Sequence, residues 1–108
     1  MSRTLIVARM AESDKDAVAA LFAASDAGPL PHRVGVRART LFHYHGLYFH
    51  LIESDEQVDD RIDAVRDDRD FRELSAALDE YISAYDPDTW RSPTDAMATA
   101  FYHWRRDS

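Results

Sequence analysis

Apolar and polar side chains alternate along two consecutive runs between Val34 and Glu53, VGVRARTLFHYHGLYFHLIE. Alternation of period two is the mark of a strand with two different faces. The pattern predicts two long strands joined at His45–Gly46, where Gly46 can take the positive φ of a tight hairpin. A two-residue loop pairs Tyr44 with Leu47, Phe42 with Phe49 and Leu41 with His50. One face then carries Val36, Ala38, Thr40, Phe42, Leu47, Phe49 and Leu51 and is expected to be core. The other carries Arg37, Arg39, Leu41, His43, Tyr48, His50 and Ile52, an unusual mixture of cations, imidazoles and aliphatic groups. A one-residue bulge would move residues from one face to the other.

The flanking segments read as follows. Arg3 to Met10 is a nearly continuous apolar run, expected as a central strand. Ser13, with Asp16 three residues on, is the expected cap of a first helix carrying Ala17, Val18, Leu21 and Phe22 on one side. That helix should stop near Asp26, since Gly28, Pro29 and Pro31 follow, making a stiff connection into the hairpin. Ser54 and Gln57 suggest a second capping box, before a short helix with a narrow stripe of Val58, Ile62 and Val65. The run Arg66 to Asp70 breaks it. Asp70 and Glu73 open a third helix in which Phe71, Leu74, Ala77, Leu78, Tyr81, Ile82 and Tyr85 hold a 3.6-residue period up to Pro87. Asp86 to Asp95 is a polar loop, and Met97 to Arg105 alternates like a last strand.

Strand, helix, two strands, helix pair and strand give an α+β, ferredoxin-like βαββαβ arrangement with a four-stranded antiparallel sheet. Its helices cover one sheet face only. The second face, with Leu41, Tyr48, Ile52 and the aromatics of the last strand, looks too apolar for water, which predicts a homodimer built on the side away from the helices.

Composition narrows the function. With 108 residues, 45% of them hydrophobic, the chain supports one domain, 1–108, with a modest core. There is no cysteine, hence no disulfide or thiolate metal site, and the net charge of -7 argues against nucleic acid and anionic membranes. The opening apolar run is too short for a signal peptide and nothing approaches a membrane span, so a cytoplasmic protein is expected. His43, His45 and His50 do not make a metal site, because His45 sits in the turn and no carboxylate follows closely on that face. A glycine-rich phosphate loop is also missing, so no cofactor is expected. Lys15 is the only lysine beside twelve arginines, so position rather than number must decide which arginine matters.

The run from Leu30 to Phe42 (LPHRVGVRARTLF), the FHYHGLYFHLIE that ends at Glu53, the opening LIVARM, the Ala-rich first helix ending at Ser25–Asp26 and the closing FYHW together resemble the tetracenomycin-type aromatic polyketide cyclases. The spore-pigment cyclases are the most similar in look. The resemblance implies a small, cofactor-free protein of the dimeric α+β barrel type. It would direct aldol cyclisation and dehydration of a poly-β-ketone from a type II polyketide synthase, the chain being free or carried by an acyl carrier protein. It also implies catalytic roles for Asp26, Arg39 and His50. Ser25 stands where some relatives carry a histidine, and Gly28–Pro29 is a further departure. Arg37, His43 and Tyr48 are expected in the substrate pocket. An arginine can stabilise an enolate or aldolate oxygen, and a histidine near neutral pKa can shuttle the proton. Read from the residues alone, Arg39 and His50 fit a polar dimer interface better than an active site, and the resemblance brings the two readings level; His43 and Tyr48 fit interface packing as well as pocket lining, Asp26 fits a helix end or turn, and Arg37 an edge-strand solubiliser. A chaperone for the reactive chain and a cofactor-free oxygenase are the competing functions.

Overall fold

The structure is a computed structural model describing residues 2–56, 58–91 and 93–106. Strands β1 (Ser2–Met10), β2 (Val36–Tyr44), β3 (Leu47–Ser54) and β4 (Ile82–Ala84) form one antiparallel sheet in the order β2-β3-β1-β4. Helices α1 (Lys15–Asp26), α2 (Leu30–Val34), α3 (Val58–Val65) and α4 (Arg69–Leu78) complete the ferredoxin-like βαββαβ order expected from the pattern. No helix among the described residues is long and apolar enough to cross a membrane.

The hairpin forms in the expected register, with Leu41 opposite His50, Phe42 opposite Phe49 and Tyr44 opposite Leu47. His45 and Gly46 have φ of 47° and 78°. Two positive values make the turn whose twist matches that of the strands. A bulge lies at the start of β2, where Val36 pairs with Ser54 and Ala38 with Glu53. Arg37 is the extra residue. Val36 therefore shares a face with Arg39, and Arg37 leaves it.

The helices cover the mixed face, not the one expected to be core. Tyr48, His50, Ile52 and Ser54 are buried, together with Thr4, Ile6, Ala8 and Met10 of β1 and Val18, Phe22, Leu30, Val34 and Ile62 of the helices. Phe42, on the supposed core face, is 50% exposed. Alternation distinguishes two faces but does not say which one the helices choose.

Five further expectations change. Ser13 lies in a 3-10 turn, Glu12–Asp14, and does not cap α1. The connection after Asp26 contains a helical turn, α2, because proline fits the first turn, where N–H groups lack partners anyway, and Gly35, at φ 80°, ends it. Asp68, not Asp70, caps α4, accepting from the Asp70 and Phe71 N–H groups. The helix then stops at Leu78 although the apolar period continues, since Ile82 and Ala84 pair with Met10 and Ala8 on the free edge of β1. Beside that same edge Met97 bridges Ile6 and the Ala98 N–H donates to Leu5. Beyond that pair the supposed last strand is irregular, with Phe101 97% and Trp104 68% exposed. The Ser54–Gln57 capping box falls partly outside the described residues, as does the side chain of Val58.

Candidate active site

None of the α4 residues is fully buried, although Phe71, Leu74 and Leu78 turn toward the sheet. A cavity of about 500 Å³ separates them from the buried face of β1 and β3. That volume suits a polycyclic small molecule. Most of its wall is apolar. Its polar groups are those at the mouth and those on the covered sheet face, where β2 and β3 meet the end of α1.

Asp26 is the last residue of α1, where the helix dipole disfavours a negative charge and no basic residue occupies the last turn. Arg39 supplies the missing cation from β2. Its Nε lies 3.1 and 3.0 Å from the two Asp26 carboxylate oxygens, and Nη2 lies 2.9 Å from Oδ1. Nη1 is 3.0 Å from Nε2 of His50, the diagonal neighbour on β3. A guanidinium can only donate, so Nε2 accepts and Nδ1 carries the hydrogen of a neutral imidazole. Burial, with His50 only 5% exposed, and the Arg39 charge beside it push the His50 pKa down to about 3. A proton shuttle poised near neutrality, as the sequence suggested, is therefore not what the resting geometry provides. His50 fixes the guanidinium as an acceptor.

Phe22 lies beneath both groups, its ring centre 4.8 Å from the Arg39 guanidinium carbon and 5.0 Å from the His50 ring. It sits one helical turn before Asp26, so the same face of α1 delivers both. That spacing is readable from the sequence, where Phe22 is marked only as part of the apolar side of the first helix. Trp90, another wall residue, comes from the loop after β4, where no periodicity marks it. Tyr48 lines the cavity beside His50, with ring centres 6.2 Å apart. Burial raises its phenol pKa, only partly offset by Arg39, so the hydroxyl keeps its hydrogen at neutral pH.

Two expected pocket residues lie elsewhere. Arg37, displaced by the bulge, is exposed and pairs with Asp55 at 2.9 Å. His43 donates from Nε2 to the Met10 carbonyl at 2.9 Å, tying the end of β2 to the end of β1, and does not line the cavity. Asp26, Arg39, His50 and Tyr48 are thus brought to one end of the site, and Arg37 and His43 are not. No three His, Asp or Glu side chains converge as metal ligands among the described residues.

The comparisons with known proteins agree with one another. The family model described as polyketide synthesis cyclase matches residues 2–105. A Streptomyces cyaneus protein named polyketide synthase CurG is 49% identical over 99% of this chain and 100% of its own length. Tetracenomycin F2 cyclase of Streptomyces glaucescens is 40% identical, covering 94% of this chain and 93% of that protein. The solved structure of that cyclase, described as a type-II polyketide cyclase, matches with a TM-score of 0.91 at 39% identity, over 98% of this chain and 99% of the other.

Proposed function

This chain belongs to the polyketide synthesis cyclase family and is a polyketide cyclase; on that premise we propose that it closes rings on a poly-β-ketone in the cavity under α4, by aldol addition and loss of water. The observation that carries this reading is the Asp26–Arg39–His50 chain at the inner polar end of a cavity whose wall is mostly apolar. A methylene between two carbonyls is already acidic, so the larger task is to hold one flexible chain in one register, and confinement alone can lower a barrier by several kcal/mol. In the reaction the enolate carbon bonds to a carbonyl carbon, whose oxygen becomes an alkoxide. Arg39 stabilises that oxygen, held in place by Asp26 and His50. The Tyr48 hydroxyl, which keeps its hydrogen at neutral pH, protonates that oxygen; the phenolate takes back the hydrogen of the adjacent carbon as the new hydroxyl leaves, and the hydroxyl departs as water with the proton that the first methylene gave to solvent.

The active form proposed is a homodimer, joined through the open sheet face that carries Phe42 and the tail that carries Phe101 and Trp104. The substrate reaches it free or on an acyl carrier protein. Adding purified protein to a defined uncyclised intermediate tests the reading. Many ring closures per protein are expected. Protection of the intermediate at one equivalent without turnover would make the protein a chaperone, and oxygen uptake would make it an oxygenase.

A further inference from the structure

Most arginines of this chain have a partner. Arg3, Arg33, Arg37, Arg39, Arg61 and Arg69 reach carboxylates, and Arg9 stacks on Tyr85 and donates to its carbonyl. Arg66, Arg72 and Arg91 have no ion pair among those the described residues make, and all three line the cavity. They come from three separate places: the turn after α3, the first half of α4 and the loop after β4. All three are exposed, so they stand at the opening, whereas Arg39 and His50 lie on the covered face of the sheet. Asp79 is the one acid in this lining, and Asp95, which accepts from the Arg91 backbone N–H at 2.8 Å, stands beside it. In a chain of net charge -7, a cavity mouth lined by three arginines, with Asp79 in the lining and Asp95 next to it, is a local reversal of sign.

We propose that this arginine rim binds an oxyanion at the end of the substrate remote from Arg39. The chemistry is that of a carboxylate or a phosphodiester, whose paired oxygens a planar guanidinium takes two at a time. The carboxylate of a released polyketide acid and the phosphodiester of a pantetheine arm are its two sources. The inference rests on the cyclase reading and deepens it. With one end fixed at the rim and a carbonyl oxygen fixed at Arg39, the span between them selects which carbons meet. An apolar wall behind the cations lowers the screening they would suffer on an open surface.

Calorimetric titration of the full chain with anthraquinone-2-carboxylic acid and with its methyl ester is the test, followed by the methyl phosphodiester of 4′-phosphopantetheine. The acid is expected to bind about tenfold more tightly than the ester, a preference that shrinks with added salt. In the triple variant Arg66→Gln, Arg72→Gln, Arg91→Gln the acid-to-ester ratio should fall to near one, and a triple Arg→Lys variant should recover part of it. All three positions are exposed, and circular dichroism checks that each variant keeps the fold. Phosphopantetheine binding that disappears in the same variant would make the carrier arm the source; acid preference alone would make it the released acid. Equal binding of acid and ester without any phosphopantetheine binding that the triple variant abolishes, or a preference surviving in the triple variant, overturns the rim. The ring-closure assay stands apart from this. An acid preference without ring closure would overturn the cyclase reading and keep the rim, and ring closure without the preference would do the reverse.

Discussion

Arg39 has five N–H bonds, and the carboxylate and imidazole beside it occupy at most three, leaving two for a substrate oxygen. A lysine has no such fork, so Arg39→Lys should release Asp26, His50 and the substrate oxygen together and lower the ring-closure rate by about a hundredfold. His50→Gln retains an acceptor and should lose less. The double variant should cost less than the product of the two singles, because the groups touch. Single-turnover rates on folded protein decide the matter, and strict multiplicativity would show that the two act independently. The same contact makes a pH prediction. His50 titrates near 3 when folded and near 6.5 when unfolded, so the unfolded chain binds the extra proton between those values. Stability should be complete above about pH 6.5 and fall by about 1.4 kcal/mol per pH unit as pH drops toward 3. His50→Gln should remove that slope, as urea unfolding at pH 7 and pH 5 would show. Arg39 and His50 were legible because the hairpin fixes their diagonal, and Asp26 only through resemblance. The low basicity of His50 was not legible, since it depends on which face the helices cover. Arg37 was misplaced because nothing in VRAR marks which residue is the extra one.

The hairpin is the element the sequence describes best, since turn chemistry and alternation point to the same register. Its weak point is specific. At Gly46, with φ 78°, an added Cβ would meet nothing within 4 Å, so space is not what demands glycine there. Gly46→Ala should cost about 1 kcal/mol through backbone strain alone. A D-alanine placed there by chemical synthesis should cost nothing measurable, and equal losses for the two would refute the strain argument. The end of α4 was the least legible boundary. Tyr81, Ile82 and Tyr85 continue a helical period, yet Ile82 also suits a strand, and the unpaired edge of β1 decides between them. The tail misled in the opposite sense. Its alternation is genuine, but beyond the Met97 bridge and the Ala98 N–H bond to Leu5 the described residues extend no ladder along β1.

At the scale of the molecule, two apolar surfaces lack cover. The outer one holds Phe42, Tyr44, Phe101, Tyr102 and Trp104, all at least half exposed. Sedimentation at micromolar concentration should therefore give about twice the 12.4 kDa chain mass, with Phe42→Asp shifting it toward the monomer. A wild-type monomer would end the dimer proposal. The inner surface is the cavity under α4, and it has a consequence for how this protein ages and is engineered. Protein interiors normally close on themselves at crystal density. Here a helix is held away from its sheet, and the guest molecule stands in for side chains that the chain never supplied. The empty protein should therefore be the fragile form and the occupied one the durable form, with the melting temperature climbing as substrate or product accumulates. A plug supplied by the chain itself should imitate that guest. Ser75→Leu, on the wall formed by α4, should raise the melting temperature of the empty protein while abolishing ring closure. Stabilising screens run on this family without a ligand would then select for blocked enzymes.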